Sequence, residues 1–168
     1  MISSTPPILL VEDDKNDVFF LQYAFEAAAI PNPLKVVEDG QQAIDYFAGK
    51  GKYGNRARFP FPCLVLLDLK LPVKMGLDVL RWVNEQPSLK TLLILVLTSS
   101  KDERDINEAY RLGARSFLVK PLSLEERLKM ATAIKQYWLE LNQFPSVVGE
   151  QTEAGDEGGQ RGTVDAKT

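Results

Sequence analysis

Ile8-Leu9-Leu10-Val11-Glu12-Asp13-Asp14 is four apolar residues running straight into three carboxylates. A half-buried strand alternates apolar and polar residues; an unbroken apolar run describes a strand covered on both faces. The pattern recurs downstream. Cys63 to Leu67 stops at Asp68, Leu92 to Leu97 stops at Thr98-Ser99-Ser100, and Ser116 to Val119 stops at Lys120-Pro121. Leu34 to Val37 is a further short strand candidate. Helical spacing fills the intervals: Phe19 to Ile30, ended by Pro31-Asn32-Pro33; Gln41 to Phe47, ended by Gly49; Gly76 to Gln86; and Asp102 to Leu112, ended by Gly113. Ser123, with Glu126 three residues on, has the capping-box pattern and opens a helix that runs to about Leu141. Gly51 to Pro62 reads as a polar loop with Lys50, Lys52, Arg56 and Arg58 at or inside it.

Five strands alternating with five helices predict an α/β fold, a doubly wound five-stranded parallel sheet. Such sheets place their ligand outside the carboxyl ends of the strands, where the strand order switches. The residues that follow the strands therefore carry the function: Glu12, Asp13 and Asp14; Asp68; Thr98, Ser99 and Ser100; and Lys120. Carboxylates that converge repel one another unless a cation sits among them, and clustered carboxylate oxygens are the hard ligands Mg²⁺ prefers. A lysine and a hydroxyl beside them supply donors to phosphoryl oxygens. The pattern points to phosphoryl transfer with an aspartate as nucleophile.

Composition closes off other chemistry. The chain has 168 residues and no histidine, which removes Ser-His-Asp catalysis, histidine general bases and histidine metal sites. The single cysteine, Cys63, excludes a disulfide framework and a cysteine-rich zinc site. A net charge of −3 makes no electrostatic case for nucleic acid. The longest apolar run, Leu92 to Leu97, is far too short to cross a bilayer, and the N-terminus lacks a signal peptide's basic region. The expectation is a cytoplasmic protein that engages neither membrane nor nucleic acid.

Over residues 7–141 the sequence resembles the receiver domain of two-component response regulators. The resemblance rests on Leu9-Leu10-Val11-Glu12-Asp13-Asp14, Leu66-Leu67-Asp68-Leu69-Lys70-Leu71-Pro72, Leu97-Thr98-Ser99 and Phe117-Leu118-Val119-Lys120-Pro121. The intervals of 30 from Asp68 to Thr98 and 52 to Lys120 fit as well. The ending Tyr137-Trp138-Leu139-Glu140, with Phe144-Pro145 beyond, and the long basic loop before Cys63 resemble single-domain regulators that partner phytochrome kinases. The resemblance implies the flavodoxin-like (βα)5 receiver fold. It implies that Asp68 accepts a phosphoryl group from a sensor histidine kinase. Mg²⁺ would be held by Asp13, Asp68 and the Lys70 main-chain carbonyl, with Glu12 acting through water. Lys120 would pair with phosphoryl oxygens, Thr98 would move to bond them, and Phe117 would turn inward as the switch aromatic. Such a protein is a phosphoacceptor rather than an enzyme with a separate substrate.

Three positions depart from the family pattern. Met75 stands where an Asp usually precedes Gly76, a local loop change neutral for the chemistry. Lys70 puts a long cation beside the phosphoryl site, and Ser99 replaces a small apolar residue. An aspartyl-phosphate hydrolase of the haloacid dehalogenase type would need a second Asp two residues after the nucleophile, where Lys70 stands. A flavodoxin-like nucleotide binder would need a phosphate loop after the first strand, where three acids stand. A receiver-like binding module without phosphorylation would lack the Asp, the Thr or the Lys, and none is lacking.

Residues 1–144 form the expected receiver domain. Residues 145–168 hold five Gly, no aromatic, no Leu and no Ile, with five acids against two bases, and are expected to be a disordered acidic tail. With no output domain following, the signal would leave through a protein surface. At 100° per residue, Leu124, Leu128, Ala131, Ile134 and Trp138 form the stripe that packs the last helix on the sheet. Met130, Ala133, Tyr137, Leu141 and Phe144 form a second stripe, expected to be exposed and to make a homodimer.

Overall fold

The structure, a computed structural model, describes residues 5–146. Strands and helices alternate: β1 (Ile8–Val11), α1 (Lys15–Ala27), β2 (Leu34–Val37), α2 (Gly40–Ala48), β3 (Leu64–Leu67), α3 (Gly76–Asn84), β4 (Ile94–Thr98), α4 (Glu103–Arg111), β5 (Ser116–Val119) and α5 (Leu124–Ile134). Short 3-10 turns cover Gly51–Gly54 and Pro87–Leu89, and a π-helical segment, Lys135–Leu141, continues α5. The sheet is parallel throughout, in the order β2-β1-β3-β4-β5.

Every residue of β1, β3 and β4 is buried, as their unbroken apolar runs require. Successive side chains serve opposite faces. Ile8, Leu10, Leu64, Leu66, Leu95 and Leu97 pack with Leu21, Ala24 and Phe25 of α1 and Ala131 and Ile134 of α5. Leu9, Val11, Val65, Leu67, Ile94 and Val96 pack with Ala43, Ile44 and Phe47 of α2, Val79, Leu80 and Val83 of α3, and Ala109 of α4. Burying each Leu or Val contributes about 2 kcal/mol. β1 lies between β2 and β3, so the strand order reverses at β1/β3 and a crevice opens above their carboxyl ends.

Four local features differ from the expected pattern. α1 begins at Lys15 rather than near Phe19, because the Asp14 carboxylate accepts the Asn16 and Asp17 N–H groups at 2.8 and 3.1 Å and caps the helix. The loop from Gly51 to Pro62 is not merely polar. Tyr53 is buried against Tyr46 and Phe59, and the Arg56 guanidinium donates to the Tyr46 and Phe47 carbonyls at 2.9 and 3.1 Å, closing the end of α2.

In the last helix, α-helical geometry ends at Ile134. The wider π turns shift the face that each later residue presents. Met130, assigned to the exposed stripe, is instead half-buried against the α1/α5 side of the core, and Leu139 also packs there. Ala133, Tyr137, Leu141 and Phe144 are exposed as expected, whereas Leu124, assigned to the packing stripe, is exposed. The expected acidic tail lies outside the described residues from position 147 onward. Among the described residues, no helix is long and apolar enough to cross a membrane.

Candidate functional site

The parallel register brings the ends of β1, β3 and β5 to one edge. The Glu12 amide donates to Val37 O at 3.0 Å and the Asp68 amide to Val11 O at 3.1 Å, so both acids stand at the β1/β3 switch point. The Lys120 amide donates to Thr98 O at 2.8 Å, which fixes the lysine beyond β4 and β5. The loop leaving Asp68 folds back tightly. A Cβ on Gly76 would stand 2.2 Å from the Asp68 carbonyl oxygen, so only glycine fits the start of α3 there.

Glu12 and Asp68 are buried, whereas Asp13 is exposed. One oxygen from each of Glu12, Asp13 and Asp68 falls within a group spanning 4.8 Å. The Lys120 ammonium, its side chain 11% exposed, donates to Glu12 Oε2, to Asp68 Oδ2 at 2.7 Å and to Asp17 Oδ2 at 2.8 Å. Asp68 Oδ1 accepts the Lys70 N–H at 3.2 Å, and the Lys70 side chain is exposed. Asp17 Oδ1 accepts from Arg127 Nη2 at 2.8 Å, and Arg127 Nε donates to Pro121 O at 3.0 Å.

Burial shapes the electrostatics. It pushes the Glu12 carboxyl up to about 7, against the opposing pull of Lys120 and the Asp14 amide. For Lys120, burial works against the charged form, but hydrogen bonds to Asp17, Asp68 and Glu12 outweigh it and hold the ammonium above its ordinary range. For Asp17, burial is likewise outweighed, by Lys120 and Arg127, and its carboxyl titrates below its ordinary value. With all four acids (Glu12, Asp13, Asp17, Asp68) ionised against two cations (Lys120, Arg127), two negative charges remain. One divalent cation among the three clustered oxygens balances them, so the residues present fit a hard metal ion.

Thr98 is fully buried, and its Oγ1 accepts the Ser100 N–H at 3.4 Å. Ser100 Oγ in turn donates to Asp105 Oδ2 at 2.6 Å and accepts the Asp102 N–H at 3.2 Å, which ties Thr98 to the start of α4. Phe117, opposite Val96 in the β4/β5 register, is half-buried against the core under α2, α3 and α4. Glu12, Asp13, Asp68 and Lys120 are thus assembled at one point, with Thr98 beside them at the β4 end and Phe117 on β5. Asp17 and Arg127 were not legible as site residues, and Ser100 was legible only as one of the polar residues that follow a strand. Asp17 lies in the first turn of a helix, where acids are ordinary for dipole reasons, and Arg127 lies in the first turns of another.

The sequence profile of the response regulator receiver domain matches residues 8–132. Response regulator Rcp1 of Synechocystis sp. is 37% identical over 145 residues, which is 85% of this chain and 97% of Rcp1. The crystal structure of the phosphorylated cyanobacterial phytochrome response regulator RcpA aligns with a TM-score of 0.78 at 34% identity, covering 84% of this chain and 99% of that one. The Mn²⁺-bound form of Rcp1 aligns with a TM-score of 0.76 at 36% identity, with the same coverage.

Proposed function

This chain belongs to the response regulator receiver domain family, and on that premise we propose that it is a phosphoacceptor that relays the signal of a sensor histidine kinase. An Asp68 carboxylate oxygen forms a bond to phosphorus while the phosphorus–nitrogen bond of the kinase's phosphohistidine breaks. The observation that carries this reading is the Lys120 ammonium on Asp68 at 2.7 Å, at the strand-order switch and beside Glu12 and Asp13. Glu12, Asp13, Asp68 and the Lys70 main-chain carbonyl would hold Mg²⁺, which supplies charge neutralisation for the incoming phosphoryl group. Lys120 and Thr98 bind its oxygens. The new contacts exist only in the phosphorylated state, so they shift a two-state equilibrium in which Thr98 and Phe117 move together.

The likeness to Rcp1 and to the phytochrome response regulator RcpA favours a phytochrome-type kinase as the partner. On this reading residues 1–144 make up the receiver domain and residues 145–168 are a separate acidic, Gly-rich segment of the sequence. The protein works in the cytoplasm and acts through protein surfaces, without a second catalytic activity. The exposed Ala133, Tyr137, Leu141 and Phe144, on the helix that also carries the half-buried Met130, support a homodimer through the last helix.

Acetyl phosphate with Mg²⁺ should add one phosphoryl group, read by mass spectrometry, and Asp68→Asn should abolish it. EDTA should abolish it too, because carboxylates this close disfavour an added phosphate without a cation. Labelling that persists in Asp68→Asn means another residue is the acceptor.

A further inference from the structure

We propose that Asp17 is a positioning residue that aims Lys120 at the phosphoryl group, and that Arg127 acts by holding Asp17. The inference rests on the phosphoacceptor reading above. A lysine ammonium has three N–H donors, and here Glu12, Asp68 and Asp17 take all three. Two of those acceptors would be shared once a cation binds. Glu12 and Asp68 belong to the clustered oxygens that fit a cation, and a bound cation competes with Lys120 for their lone pairs. Phosphorylation then converts one Asp68 oxygen into the bridging oxygen of an acyl phosphate. Asp17 lies outside that cluster, so it is the acceptor on Lys120 that both events leave in place.

Asp17 is itself fixed. Its second oxygen accepts from Arg127 Nη2 at 2.8 Å. Arg127 is tied to Pro121 O at 3.0 Å, and its guanidinium lies 5.5 Å from the centre of the Phe20 ring. The side chains are 24% and 15% exposed, so this is not a loosely screened surface pair. The arrangement leaves two ammonium N–H bonds directed at the place where phosphoryl oxygens arrive. Without it, a compact charge on a flexible four-carbon stem must be oriented anew in each reaction. The Arg127 charge offsets that of Asp17, so the anchor adds no net repulsion toward an incoming phosphate.

The test measures the rate of phosphorylation by acetyl phosphate at several concentrations, together with Mg²⁺ affinity by calorimetry, on the full chain. Asp17→Ala should slow phosphorylation about tenfold, the scale of one lost charge-assisted hydrogen bond, while Mg²⁺ affinity stays within about twofold. Asp17→Asn keeps an oxygen acceptor and should recover most of the rate. Arg127→Gln should be slower than wild type, and Asp17→Ala/Arg127→Gln no slower than Asp17→Ala, because Arg127 acts through Asp17. A wild-type rate in Asp17→Ala overturns the proposal. So does a parallel loss of Mg²⁺ affinity, which would put Asp17 in the metal site, and so does a double variant slowed by the product of the two single effects. If circular dichroism shows Asp17→Ala unfolded, Arg127→Gln decides: slowed phosphorylation with Mg²⁺ affinity kept supports the proposal, and a wild-type rate overturns it. A wild-type chain that does not label, or an Asp68→Asn chain that does, overturns the phosphoacceptor reading itself, and this inference with it.

Discussion

Four acids within six residues meet four different fates. Glu12 is buried beneath Lys120, Asp13 stays exposed at the cation cluster, Asp14 caps α1, and Asp17 bridges Lys120 to Arg127. The residue type is shared, so what separates them is the direction each side chain takes as the chain turns from β1 into α1. Environment also decides the behaviour of Cys63. Burial pushes its thiol up to about 11, outweighing the hydrogen bond from Asn32, so the native state favours the neutral form. At pH 8 the thiolate is scarcer than at the ordinary value of 9.0, and alkylation by iodoacetamide should run about a hundredfold slower in the native protein than in urea. The sign for stability follows. An unfolded chain releases this proton at a lower pH than the native one, so the Cys63 contribution is present below pH 9 and is lost as pH rises through 11. Equal alkylation rates in the native and denatured protein would show that the thiol is not shielded.

The helices differ in how well they are started. Asp14, Asp39, Asp102 and Ser123 each accept a backbone N–H at the start of α1, α2, α4 and α5. Met75, at the same position of α3, offers no such acceptor. Only the reverse contact is made, with the Asp78 carboxylate accepting the Met75 N–H at 3.3 Å. The departure from the family pattern at this residue, expected to be neutral for the chemistry, leaves the first amides of α3 without a side-chain acceptor at the cap position. Met75→Asp should stabilise the protein by about 1 kcal/mol, seen as a melting temperature a few degrees higher. An unchanged or lower melting temperature would show that the Gly76 turn already satisfies those amides. The last helix is the element the periodicity misjudged. A helical wheel at 100° per residue misplaces Leu124, which is exposed, and Met130, which is half-buried, and from Lys135 onward the π turns change the angular step itself.

At the scale of the whole molecule, one face of the last helix has no intramolecular cover among the described residues. Tyr137, Leu141 and Phe144 are exposed on it, aromatic and aliphatic side chains of the kind that fill subunit interfaces. A second copy across a two-fold axis would cover both faces at once, as the proposed homodimer requires. Light scattering at tens of micromolar should give the mass of a dimer for the wild type and of a monomer for Tyr137→Glu/Phe144→Glu. A monomeric wild type, phosphorylated or not, would remove the dimer from the account.

The fold was legible because three strands are continuous apolar runs and a parallel sheet buries such strands on both faces. Glu12, Asp13, Asp68, Thr98 and Lys120 were legible because each follows a strand, and strand ends converge in a doubly wound sheet. Tertiary structure alone decided the rest. Asp17 and Arg127 stand 110 positions apart on two helices, and only the packing of α1 beside α5 makes them one ion pair. Ser100 is one more hydroxyl in a serine pair until the turn into α4 brings Asp105 onto it. Met130 and Tyr137, expected on one exposed stripe, are parted by the packing of the last helix, Met130 half-buried on the core and Tyr137 exposed. Local sequence specifies which segments are strands and where they end, because burial on two faces imposes a pattern on consecutive residues. Which side chains then meet across elements depends on distances that arise only when the layers close.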